Sequence, residues 1–400
     1  MGRAVGGAAT VWNSLRNSAT ACFSAVEVAG AWSAISLLRQ SVPKSRADEA
    51  SEAFSWSIPL DSQVDLAAGA MKNMSIDTAS LAPVVLVCGH GSSTENNPYA
   101  SSLDCGACGG HKGDVNARFA AALMNSPAVR QGLAERGIEI PEDTVFVPGL
   151  HNTTTDEVTL WGMSQVSDYW RQSIRIWLDA ASAQARRERN SPGTGLTLPT
   201  PENRLRREVE RRSTDWSEVR PEWGLAGNAA FVAAPRSRTR ALNLQGRVFL
   251  HDYDSAADPD ASVLQLILTA PVVVASWINL QYYASTVDNH LFGSGNKVLH
   301  NVVGRFGVWE GNGGDLRTGL PLQSLHDGSR WMHEPLRLQV FIEAPRERID
   351  KVLKANPSVR ELVDNGWIHL TCLDGGHYGE LPVNLARGLQ TASLHAAETR

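Results

Sequence analysis

Cysteine is scarce in this sequence: five residues in 400. So few thiols, and an odd number of them, do not build a disulfide framework, which points to a reducing, intracellular setting. Charge of one sign is also lacking. Thirty-seven Lys and Arg against 42 Asp and Glu leave a net charge of −5, which implies no polyanion-binding surface at whole-chain level and argues against a nucleic-acid partner. The first thirty residues lack the clean apolar stretch and cleavage site of a secretory leader. Uninterrupted apolar runs are short. Residues 21–38 contain Glu27, and residues 263–280 contain Gln265, Pro271 and Asn279. A bilayer-spanning helix wants about 20 mostly apolar residues, so both segments read better as buried core.

What is present suits a globular chain. Hydrophobic residues make up 42% and charged residues 20%, which excludes disorder or coiled coil over most of the length. The length fits two ordinary domains or one large α/β unit. Residues 1–40 read as helical on the apolar positions Trp12, Leu15, Phe23, Val26 and Trp32, and residues 41–81 read as an irregular connection. The division is therefore 1–82, helical and irregular, and 83–400, α/β, with a hinge or insertion near 190–202. Pro83–Val87 reads as a buried strand, and 91–113, dense in Gly, Ser, Asn and Asp, as a loop. Asp114 is positioned to cap the helix that follows. A second strand is expected over 144–147 and a long helix over 164–189, with Tyr169, Trp170, Ile174 and Trp177 on one face. Further strands are expected at 229–233, 247–250, 272–275, 336–342 and 368–370. Alternating strands and helices argue for an α/β fold. Arginine and glutamate crowd residues 186–212 without interleaved aromatics, which reads as a solvated helix pair.

The segment richest in chemistry is 86–114, LVCGHGSSTENNPYASSLDCGACGGHKGD. Its strand ends at Cys88-Gly89-His90-Gly91, where α/β proteins place ligands, and the glycines flanking His90 permit close backbone approach. Cys105 follows fifteen residues later, with Cys108 beyond it. Histidine and cysteine are good zinc donors. A zinc site needs three or four protein ligands, which this window reaches only if Cys88 and Cys108 join His90 and Cys105. The competing reading is a thiol redox pair, Cys105 and Cys108, and behind both stands ordinary packing.

The run GHGSSTENNPYASSLDCGACGG resembles a signature of the DabA family, the large subunit of a bacterial inorganic carbon uptake system. The likeness continues through His151–Glu157, Asp215–Ala226, Ala270-Pro271, Trp277–Tyr283, Asn301–Gly304, Gly319–Ser324 and His333–Leu338, nearly the whole chain. The resemblance implies a core similar to β-type carbonic anhydrases, with additional helices and a strand-rich C-terminal region. It implies one Zn2+ held by Cys, Asp, His and a second Cys, of which His90 and Cys105 match the last two. It further implies hydration of CO2 to bicarbonate by a zinc-activated water, a membrane partner DabB, and a peripheral place on the cytoplasmic side of the inner membrane. The other two ligands belong to a Cys-x-Asp-x-Arg-Ser motif ahead of the His. Residues 1–89 hold only Cys22 and Cys88, neither followed by x-Asp. Cys372-Leu373-Asp374 has the short form but lies after the His and reads as a strand end packed on the core. The 400 residues therefore read as the C-terminal part of a longer family chain. The alternative is a stand-alone cytosolic metal-dependent hydrolase or a thiol redox enzyme using Cys105 and Cys108.

Overall fold

The computed structural model describes residues 57–74, 76, 78–94, 104, 108, 111–189, 201–215, 225–303, 307–310, 315–373 and 376–377. All of them fall in one unit, Ser51–Arg400. The helices expected over 1–40 lie outside the described residues, as does the hinge or insertion near 190–202 apart from Pro201 and Glu202.

Two β-sheets, each clad by helices, make the α/β fold expected from the alternation of elements. The first follows helix α1 (Leu60–Asn73). Strand β1 (Val84–Gly91) leads through helices α2 (Asp114–Asn125) and α3 (Pro127–Ala134) to β2 (Val145–Asn152) and β3 (Glu157–Leu160). β1 pairs with β2 in parallel, and β2 with β3 antiparallel, in the order β1-β2-β3. Residues of α1, α2 and α3 close over Phe146, Val85 and Val87 on one face of this sheet. A β-carbon on Gly132 of α3 would lie 2.5 Å from Val64 of α1, so glycine lets these two helices approach closely. The sequence reading of 41–81 as irregular fails over α1, whose Val64, Ala67 and Met71 are buried at helical spacing.

Helices α4 (Asp168–Arg189) and α5 (Glu202–Ser213) carry the arginine-rich run. Its charges mostly face one another. Arg206 meets Glu157 and Glu210 at 3.0 Å, and Arg211 and Arg212 share Glu208. Arg186 is more than solvated surface: it is buried, donates to the Thr155 carbonyl at 3.0 Å and pairs with Glu202 at 2.7 Å.

The second sheet uses β4 (Ala230–Ala234), β5 (Val248–Asp252), β8 (Leu338–Ile342), β9 (Ile368–Cys372) and the short β10 (Gly376–His377), ordered β10-β9-β8-β4-β5. β5, β4, β8 and β9 run parallel. Such a sheet needs cover on its faces, and helices α6 (Ser262–Thr269), α7 (Pro271–Val287), α9 (Arg346–Ala355) and α10 (Pro357–Asp364) contribute to its core. α8 (Asn289–Phe292) and a hairpin of β6 (His300–Val303) and β7 (Gly307–Glu310) lie between α7 and β8 in the chain. The run 272–275, expected as a strand, is helical. Proline at the first helical position, Pro271, is pre-set for a helix start and overrides the β-branched valines. Residues 262–287 are long and apolar enough to cross a membrane by composition, yet here Leu264, Ile267, Leu268 and Val272 are packed into the sheet core.

Two buried polar anchors hold this half. Asp258 accepts from the Tyr253 hydroxyl at 3.0 Å and from the backbone N–H groups of Val263 and Leu264 at 3.1 and 2.9 Å. His333 accepts at Nδ1 from the Gly227 N–H at 3.0 Å and lies against the Tyr282 ring. Burial lowers the His333 pKa from 6.5 to about 4, with Arg247 adding to the effect.

Both anchors yield measurable expectations. Asp258→Ala strands two N–H donors and the Tyr253 hydroxyl, and chemical denaturation should show a loss of roughly 2–4 kcal/mol. For His333, both folded and unfolded states are neutral above pH 6.5. Below it the unfolded chain takes up a proton that the folded one refuses, so stability falls as pH drops toward 4, by roughly 3 kcal/mol in all. Denaturation midpoints of His333→Gln between pH 7 and 4 should lack that share of the decline.

Candidate functional site

Of the residues expected to carry chemistry, Cys88 and His90 lie toward the carboxyl end of β1 in the first sheet. β1 runs further than its sequence suggested. Parallel pairing to β2 continues through His90 opposite His151 and Gly91 opposite Asn152, so His90 is itself a paired strand residue. Strand alternation puts Leu86, Cys88 and His90 on one face and Val85 and Val87 on the other. The second face is packed under α1–α3, and the first is exposed at all three positions.

The glycines beside His90 have a specific task. A β-carbon on Gly89 would lie 2.3 Å from the carbonyl oxygen of Gly113, and one on Gly91 would lie 2.8 Å from the Lys112 side chain. Gly113 in turn donates its N–H to the His90 carbonyl at 2.8 Å. The close approach read from these glycines is thus to the returning end of the chain's own loop. Asp114, expected as the helix cap, is instead the first residue of α2, with Gly113 at the cap position and no side-chain cap bond. Its charge still suits the helix N-terminus.

Around His90 the described polar groups are ordered. The Asp104 carboxylate accepts from the N–H and hydroxyl of Ser92 at 2.6 and 3.0 Å. Although His90 is exposed as a residue, its ring is partly desolvated. This lowers its pKa, with Asp104 pulling it up and His151 pushing it down. The imidazole is therefore neutral at pH 7, the form that ligates metals. His151 Nε2 lies 3.3 Å from the buried Asp156 carboxylate. Asp156 sits at φ 58, closing a turn in which Asn152 Oδ1 accepts from the N–H groups of Thr154 and Thr155. The turn leads into β3 and delivers a carboxylate to the strand-end histidine.

The cysteines divide. Cys105 lies outside the described residues. Cys108 accepts from Asn116 Nδ2 at 3.1 Å. Cys88 is on the His90 face, with its thiol pKa raised by partial desolvation. Cys372 is buried at the end of β9, and its thiol donates to the Ala344 carbonyl at 3.2 Å, a packed strand end. Among the described residues no three His, Cys, Asp or Glu side chains converge as a metal site. His90 fits as one donor, and the described residues do not complete a set.

Away from this sheet, Asn279 is buried on α7 and donates to Asn228 Oδ1 at 2.9 Å, and Tyr282 packs against His333. Sequence reasoning missed the switch point of the second sheet, between β4 and β8, where doubly wound sheets open a crevice. Arg238 spans it with a two-pronged bond to Glu343 at 2.6 and 3.0 Å.

Comparison with known proteins gives one answer. The family model described as "Probable inorganic carbon transporter subunit DabA" matches residues 2–368. A protein of that name from Hydrogenovibrio crunogenus is 52% identical over 370 residues, covering 90% of this chain and 44% of its own length. One from Roseiflexus castenholzii is 53% identical over 330 residues, 82% of this chain and 39% of its own. One from Acidithiobacillus ferrooxidans is 48% identical over 395 residues, 92% of this chain and 48% of its own. The chain thus spans less than half the length of these relatives. No solved structure matches it.

The Gly89–Gly113 contact can be tested directly. Gly89→Ala sets a methyl group against main chain that has no side-chain freedom with which to yield. It should destabilise the protein by about 1–3 kcal/mol in chemical denaturation. Gly69→Ala, at a helical position with nothing within 4 Å, should be neutral or slightly stabilising.

Proposed function

The chain belongs to the DabA family, and from that premise we propose that it forms part of an inorganic carbon transporter subunit, contributing His90 and Cys105 to a zinc centre that converts CO2 to bicarbonate. The observation that carries the reading is His90 itself. It is an imidazole presented on an exposed strand face, at the carboxyl end of a parallel pair. Cys105 enters through the family resemblance and its place in the same glycine-rich segment. A zinc ion held there supplies water acidified to a pKa of about 7, the nucleophile that CO2 hydration requires at neutral pH.

The chain's own residues have definite tasks in this reading. Ser92 fixes Asp104 with two hydrogen bonds, and the charge of that carboxylate acts on the His90 ring. His151, paired with His90 in the strand register, has its ring held by Asp156, with Nε2 3.3 Å from that carboxylate. Two donors leave a four-coordinate ion half satisfied. The remaining Cys and Asp come from the Cys-x-Asp-x-Arg-Ser motif of the rest of the family chain. As a transporter part, the chain works at the cytoplasmic face of the inner membrane beside the membrane subunit DabB, with CO2 and bicarbonate as its small-molecule partners.

Elemental analysis tests this. The purified chain alone should carry well under one zinc per molecule, because binding is coupled to a complete site. Joined to the remainder of a family chain, it should approach one. His90→Ala and Cys105→Ser should abolish that gain, and Cys108→Ser should preserve it. Near-stoichiometric zinc in the isolated chain would overturn the split-site reading. Equal damage from Cys105→Ser and Cys108→Ser would favour the thiol redox alternative.

A further inference from the structure

Between α7 and β8 the chain folds into a small polar module that the proposed reaction leaves idle. Two stretches of it are laced together. The Ser294 N–H donates to the Leu320 carbonyl at 3.1 Å, and the Leu322 N–H to the Gly295 carbonyl at 2.8 Å. The Gln323 side chain accepts from the Lys297 N–H at 3.0 Å and donates to Asn296 Oδ1 at 2.6 Å. Residues 294–300 and 320–324 are thus held against one another.

Inside this module some polar atoms have nothing to bond. Ser294, Lys297, His300 and Ser324 are all buried. Ser294 Oγ, Ser324 Oγ and His300 Nδ1 are shut off from water and lack a hydrogen-bond partner. Each costs free energy in that state. Buried polar atoms are normally satisfied by a neighbour, by ordered water or by a bound molecule.

The histidine dictates what such a molecule must offer. His300 Nε2 is bonded to the Ser294 carbonyl. A carbonyl only accepts, so Nε2 carries the hydrogen. Burial keeps the ring neutral by lowering its pKa, which leaves Nδ1 a bare lone pair. The guest must therefore present a proton to Nδ1. The charges acting on the ring are those of Lys297 and Arg317, both positive, and they disfavour a cation. Arg317 is matched by Glu310. A buried ammonium and two hydroxyl donors favour an anion. An anion that still carries a proton is a protonated oxyanion. Bicarbonate has one O–H and two further oxygens, which matches one lone pair and two hydroxyls.

We infer that this module is a bicarbonate site, in which His300 Nδ1 accepts the bicarbonate O–H, the Ser294 and Ser324 hydroxyls donate to the other two oxygens and Lys297 balances the charge. The choice of bicarbonate among protonated oxyanions rests on the inorganic carbon reading. The need for a protonated anion does not, and neither point uses the zinc centre. Occupancy ties the stability of the fold between α7 and β8 to the concentration of the ion.

The test is thermal unfolding of the full chain, stripped of metal by a chelator, at pH 8. Sodium bicarbonate, nitrate, chloride and hydrogen phosphate are compared at matched ionic strength. Bicarbonate alone should raise the midpoint, and saturably. The 13C resonance of labelled bicarbonate should broaden in the presence of the chain and sharpen again when unlabelled bicarbonate is added. Ser294→Ala and Ser324→Ala should each weaken the apparent bicarbonate affinity at least fivefold. Without bicarbonate the same variants should be as stable as the parent or more so, because an unpartnered hydroxyl has been removed. A merely structural hydroxyl would give the reverse. Equal stabilisation by nitrate or chloride would overturn the inference, since neither carries a proton. Stabilisation by hydrogen phosphate in place of bicarbonate would overturn the identity of the guest. The absence of any saturable effect would overturn the site itself, leaving its polar atoms to water. A bicarbonate effect that appears only when zinc is restored would place the ion at the zinc centre and overturn the inference while favouring the zinc reading. An effect that is the same with and without zinc upholds the inference whatever becomes of that reading, so the two fail separately.

Discussion

The structure around His90 depends on one backbone contact: β1 and the returning loop meet where neither has a side chain. Gly89 and Gly113 touch through main-chain atoms alone, and the Gly113 N–H closes onto the His90 carbonyl. This contact joins the end of β1 to the start of α2, and α2 lies directly on β1 and β2. The parallel register of β1 and β2 then sets His90 against His151. Without that approach the helix would stand off the sheet, and the strand could not run on to Gly91. Two residues lacking a β-carbon therefore decide where an imidazole several ångströms away is presented.

The same geometry explains why the two faces of β1 differ. The inner residues, Val85 and Val87, enter a core built by α1, α2, α3 and Phe146. The outer residues face a groove whose far wall is an aromatic row with much of its surface in water. Burying apolar area is worth roughly 25 cal/mol per Å2, so leaving Leu86 and Trp177 half covered forgoes stabilisation. Two arginines of the flanking helices, Arg186 and Arg206, are engaged on Thr155, Glu202 and Glu157. Arg186 in particular ties α4 to the turn after His151, so the groove wall and the strand-end turn move as one piece.

Much of this was legible in sequence, and the failures have physical causes. The strands of the second sheet stood out because Leu, Val and Ile cluster between turn residues, and the observed β4, β5, β8 and β9 fall within a residue or two of expectation. The run 272–275 was misread because a valine triplet has strand propensity, while the helix start encoded by Pro271 acts one residue earlier. α1 was missed because its buried positions are alanine, valine and methionine amid polar residues, a weak stripe that gains meaning only against α3. For the site, His90 was identifiable from its glycine flanks and its place at a strand end. The pairing of His151 with Asp156 was not read from sequence, and its position beside His90 comes from strand register, which no local pattern encodes. The apolar groove was invisible for the same reason, since it joins β1 to a helix about ninety residues later.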